Sequence, residues 1–99
     1  MFGLPDDTLR LINDVFSIHS EIEKVLIYGS RAKGNYRNGS DIDLTLIGDS
    51  LTTALVDELI QQLDDLNTPY LMDISIYSQL QNPDLKLHID RVACLFYKK

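Results

Sequence analysis

Two apolar runs, KVLIYG (Lys24 to Gly29) and SDIDLTLIG (Ser40 to Gly48), bracket a polar turn, SRAKGNYRNG, that is rich in glycine and cations. The first run is β-rich and stops at glycine, so it reads as a strand buried on both faces. The second alternates: Ile42, Leu44 and Leu46 point to one face, and Asp41, Asp43 and Thr45 point to the other. A cationic turn and two aspartates set between two runs that each read as a buried strand make an active site worth testing.

The flanking segments supply the rest. Pro5 with Asp6 and Asp7 opens a helix in which Leu9, Ile12, Val15 and Phe16 recur at helical spacing to about His19. A turn or short helix follows from Ser30. Asp49 or Ser50 can cap a helix whose stripe is Leu51, Leu55, Leu59, Leu63 and Leu66, ending near Asn67 and Pro69. YLMDISIY (Tyr70 to Tyr77) is a third strand with Met72, Ile74 and Ile76 on one side and Asp73, Ser75 and Tyr77 on the other. Asn82 and Pro83 start a helix of about two turns, and RVACLFY closes as a further strand or extended end. This order predicts an α/β (α+β two-layer) domain with a small mixed sheet, helices mainly on one face and the other face open. The lack of a glycine-rich βαβ fingerprint argues against a doubly wound fold.

At 99 residues the chain is expected to be one domain, residues 1–99, burying roughly 60–65% of its unfolded surface. No apolar run approaches the ~20 residues that a membrane span needs. The first residues carry no positive leader ahead of an apolar stretch, so the expected location is the cytoplasm. A net charge of −6 argues against general nucleic-acid binding, which depends on summed Lys and Arg contacts. Arg31, Lys33 and Arg37 nevertheless cluster within a short span, which suits one small anionic ligand. Cys94 lies in an apolar run and is read as a buried thiol.

Alternate strand residues share a face, so Asp41 and Asp43 have Cα atoms ~6.6 Å apart and can both reach one cation. Such oxygen donors suit Mg²⁺ or Mn²⁺. Asp73 completes a three-carboxylate cluster if its strand is the neighbour, an arrangement that repels itself unless a divalent ion joins it. Gly29 lets backbone approach a phosphate, Ser30 adds a hydroxyl, and Arg31, Lys33 and Ser40 are further candidates for the phosphates of a nucleoside triphosphate. Asp-x-Asp alone is most often a solvated turn or cap. A Gly-Ser turn after a buried strand and a third in-strand carboxylate make the catalytic reading the better one. Arg37 is read as a solvated loop cation, His19 and His88 as surface or capping residues, and the five tyrosines as packing residues.

The run GSRAKGNYRNGSDIDL resembles the nucleotidyltransferase signature of the DNA polymerase β superfamily. More narrowly, the chain is similar over nearly its whole length to the minimal nucleotidyltransferases, the MNT or MntA-type proteins. That resemblance implies a mixed-sheet core, two divalent ions and ATP as donor of AMP. It matches Gly29 and Ser30 to the phosphate turn, Asp41 and Asp43 to the metal pair, and Asp73 to the third carboxylate. It further implies a helical HEPN-type partner, as in toxin–antitoxin pairs, with AMP passed to a hydroxyl of that partner. The alternative is a non-catalytic nucleotide-binding subunit that sequesters the toxin. No helical domain follows the core, so surfaces that clamp base or acceptor are expected to come from another protein.

Overall fold

The computed structural model describes residues 1–99. The elements run α1 (Asp6–Ile18), β1 (Lys24–Tyr28), α2 (Ser30–Lys33), β2 (Ile42–Ile47), α3 (Thr53–Asp64), β3 (Met72–Ile76), a 3-10 turn (Tyr77–Gln79), α4 (Pro83–Val92) and β4 (Cys94–Lys98). The sheet order is β3-β2-β1-β4. β1 is antiparallel to both β2 and β4, whereas β2 and β3 are parallel, as a pair joined through helix α3 can be. This is the mixed sheet of a two-layer α+β fold. No helix is long and apolar enough to cross a membrane.

The period-2 pattern of β2 places Ile42, Leu44 and Leu46 wholly inside, where they meet Val25 and Ile27 of β1. Ile12, Val15 and Phe16 of α1 and Leu55, Leu59 and Leu63 of α3 close the same core. Phe16 meets Phe96 of β4 edge-on at 6.2 Å between ring centroids. Burying a side chain of this size contributes about 2–3 kcal/mol, so α1, α3 and one sheet face form the stable layer.

Four local expectations shift. The cap of α3 is Thr52, whose Oγ1 accepts from the Leu55 N–H at 3.1 Å, rather than Asp49 or Ser50. The Asp49 N–H instead donates to Glu23, and Leu51 packs on the core before the helix begins. α4 runs ten residues, longer than two turns, because Asn82 caps it through the Asp84 and Leu85 N–H groups and it must reach Ile89 to bury it. Asp41 stands one residue ahead of β2 rather than inside it. His19 is neither surface nor merely a cap: it is 7% exposed, and its Nε2 lies 2.6 Å from Gln62 Oε1.

The second sheet face carries Tyr28, Asp43, Thr45, Asp73 and Ser75. α4 leans on it where His88 meets the Tyr28 ring edge-on at 6.2 Å. Around the carboxylates the face stays open, with Asp41 and Asp73 exposed and Asp43 half-buried.

Candidate active site

Three carboxylates meet on this open face. In the β2–β3 ladder Asp43 is the register partner of Asp73, so the two side chains rise from neighbouring strands about 4.8 Å apart. Asp41 precedes them by two residues, at a point where the Ile42 N–H still donates to the Leu71 carbonyl at 2.8 Å. Asp43 also pairs with Tyr28 of β1, the residue before Gly29. Gly29 has φ 76° and ψ −155°, a region open essentially to glycine alone. A Cβ there would run into the Asp43 carboxylate. The glycine thus brings the turn backbone against the central acid, and Ser30 begins α2 beside it.

Charge accumulates accordingly. Burial, then the charges of Asp73 and Asp41, push the Asp43 carboxyl above its ordinary 3.8, while His88 pulls it the other way. Tyr28 is raised above 10.0 by burial and by Asp73, with Asp43 adding to it. In this geometry the three carboxylates do not close by themselves into a coordination sphere. Their chemistry still fits a hard divalent ion: every donor is an oxygen, and a cation offsets the repulsion that Asp43 bears.

Because the folded state holds the Asp43 proton to higher pH than the unfolded chain, this residue costs no stability below 3.8. It costs progressively more as pH rises from there through the raised value. We therefore expect Asp43→Asn to melt higher than wild type at neutral pH without metal, by about 0.5 kcal/mol given solvent screening. The difference should shrink towards zero near about pH 4, as followed by circular dichroism melts.

Arg31 departs from the phosphate role. It is 3% exposed, its Nε and Nη2 both donate to the Ser40 carbonyl at 3.1 and 2.8 Å, and its Nη1 donates to the Phe2 carbonyl at 2.9 Å. The rings of Tyr36 and Tyr70 lie 5.1 Å from the guanidinium carbon. A buried guanidinium without a carboxylate partner is tolerable here because carbonyl dipoles and two aromatic faces surround it. It pins the loop that delivers Asp41. Ser40 belongs to the same loop, its Oγ accepting from the Arg37 N–H at 2.9 Å. Lys33 stays exposed and free of any ion pair.

Arg31→Met is expected to lower stability by about 2–3 kcal/mol through the orphaned carbonyls, and the melting temperature by about 10 °C or more. Arg31→Lys should recover little, because a point ammonium cannot bridge both carbonyls.

Gly29, Ser30, Asp41, Asp43 and Asp73 are therefore gathered at one end of the sheet, while Arg31 and Ser40 serve as scaffold. Sequence reasoning missed Tyr28 and His88 as neighbours of the acids. No signal short of the α4–β1 contact links His88 to residues so distant in the chain. The largest cavity, about 640 Å³, lies at the opposite end of β1 between Glu21, Glu23, Lys24 and Lys98. It has no apolar wall and no part in the carboxylate site.

The family model described as Polymerase beta, Nucleotidyltransferase matches residues 11–99. Among solved structures, a toxin–antitoxin with AMP-PNP aligns with a TM-score of 0.69 at 18% identity, covering 97% of this chain and 75% of that one. The toxin–antitoxin MntA-HepT aligns at 0.68 and 14% identity, covering 96% and 74%. A complex of tri-AMPylated Shewanella oneidensis HEPN toxin with MNT antitoxin aligns at 0.62 and 14% identity, covering 93% and 73%. At these identities the likeness establishes the fold. No curated protein gives a significant sequence match.

Proposed function

Since the chain belongs to the Polymerase beta, Nucleotidyltransferase family, we propose that it transfers a nucleoside monophosphate, AMP from ATP, to a hydroxyl of a partner protein. The partner is a helical HEPN-type toxin, and the chain is its antitoxin in a hetero-oligomer. The observation that carries this reading is the register of Asp43 with Asp73 directly beside the Gly29 turn. A solvated Asp-x-Asp turn has no reason to place a third acid in register, nor to press a glycine against the middle one. Supporting the choice of nucleotide and partner, one solved neighbour holds AMP-PNP and another contains an AMPylated HEPN toxin with an MNT antitoxin.

The residues divide the work. Gly29 and Ser30 receive the phosphates on bare backbone and one hydroxyl. Asp41 and Asp43 would hold one divalent ion, Mg²⁺ or Mn²⁺, and Asp73 would share a second. Such ions neutralise the triphosphate and lower the pKa of the attacking hydroxyl. Asp73, exposed on the outer strand, would take the proton of that hydroxyl. The acceptor oxygen bonds to the α-phosphorus, the bond to the β-phosphate bridge breaks, and pyrophosphate leaves. In this reading residues 1–99 form one domain that acts in the cytoplasm.

The test is ATP labelled at the α-phosphate, incubated with the purified chain, the partner and Mg²⁺. Label should appear on the partner. A stable complex that never acquires label would mean that the chain sequesters its partner without modifying it.

A further inference from the structure

Beyond the phosphate turn, α2 and α4 enclose a cavity of about 210 Å³ lined by Lys33, Asp84, Leu87, His88, Arg91 and Val92. Three nitrogen-bearing side chains from two elements face one space. The only ion pair in the molecule joins Arg10 and Asp7, so neither Lys33 nor Arg91 has an acid partner, in a chain with 15 acids and 9 bases. Asp84 lines the cavity too, yet it stands beyond ion-pair distance of both. Eight of the nine lysines and arginines lack an ion pair, so what marks this cavity is the convergence of Lys33, His88 and Arg91 with Asp84 as the one acid among its lining residues.

The cavity adjoins the carboxylate site. Lys33 ends the helix that Ser30 begins, and its N–H donates to the Gly29 carbonyl at 3.2 Å. His88 touches Tyr28, the register partner of Asp43, and its charge acts on Asp43. Arg91 in the last turn of α4 also complements that helix end. Lys33 likewise lies in the last turn of α2, but that helix has only four residues, and neither helix end accounts for His88 joining them at one cavity.

We propose that this cavity binds the polyphosphate tail of the nucleotide, with His88 and Arg91 of α4 joining Lys33 as its donors. The assignment rests on the transferase reading above and extends it to a helix outside the Gly-Ser and Asp-x-Asp motif. A donor lying across Gly29 has its α-phosphate near Asp43 and its outer phosphates over α2, where these cations wait. The same contacts hold pyrophosphate as it departs. AMP, lacking the outer phosphates, cannot use them.

The test titrates ¹⁵N-labelled protein with tripolyphosphate, then with ATP and with AMP in Mg²⁺. Tripolyphosphate should shift the resonances of Lys33, His88 and Arg91, and R91A should weaken it by about tenfold, as expected for one lost charge-assisted contact. R91A should weaken ATP similarly and leave AMP unchanged, with H88Q moving the same way by less. Arg91 is exposed, so the fold should survive, and the melting curve checks this. Shifts located elsewhere, or an R91A affinity for ATP equal to wild type, would overturn the cavity and leave the transferase reading standing. Tripolyphosphate bound here without any ATP binding would overturn the nucleotide assignment and the transferase reading together.

Discussion

Asp43→Asn is expected to reduce AMP transfer by about a thousandfold or more while the metal-free protein becomes slightly more stable. The two effects have one cause. Asp43 stands between Asp41 and Asp73 and against Gly29, so in the proposed reading an ion reaching both strands would be held through it. The same position disfavours its charge, through burial and the neighbouring acids. Asparagine keeps the shape of the side chain and removes its charge, so the melting curve separates a loss of activity from misfolding. Single-turnover transfer of labelled AMP to the partner, set beside melting curves, checks both halves. A variant as active as wild type would remove Asp43 from the chemistry.

Gly29→Ala is expected to damage both fold and site. Its backbone conformation costs a non-glycine residue of order 1–3 kcal/mol, and the new Cβ would collide with the Asp43 carboxylate. Together these predict a loss of about 3 kcal/mol, or about 15 °C in melting temperature for a chain of this size. Transfer should fall steeply, since either the turn or the Asp43 carboxylate must leave its place. Adding Asp43→Ala should restore part of the stability, because the collision vanishes, and the backbone strain should remain. Chemical denaturation of the two single variants and the double variant measures that coupling. Strict additivity would mean that Gly29 and Asp43 do not press on one another.

The carboxylates were legible because strand alternation and a βαβ connection are sequence-level constraints. Ile42, Leu44 and Leu46 must face the core, so Asp43 must face away, and the helix between β2 and β3 brings Asp73 into register on the neighbouring strand. Arg31 was not legible. Its direction depends on the positive φ of Gly29, and the rings that enclose it come from Tyr36 and from Tyr70, far along the chain. Nothing in GSRAKG distinguishes a cation aimed at a phosphate from one folded back under its own loop. Helix ends were blurred for a related reason: Asp49, Ser50 and Thr52 are all competent caps, and packing of Leu51 decides among them. His88 was invisible because its neighbours lie on β1 and β2, and only the docking of α4 introduces them.

Central to all of this is a divalent ion held by Asp41 and Asp43 beside a bare-backbone turn, with Asp73 facing them from the adjacent strand. Crystals grown with Mn²⁺ and a non-hydrolysable ATP analogue, measured at the manganese edge, address it directly. The account predicts anomalous density coordinated by the carboxylates of Asp41 and Asp43, with the analogue's phosphates on Gly29 and Ser30. Manganese found elsewhere, or a nucleotide seated away from these three acids, would contradict it.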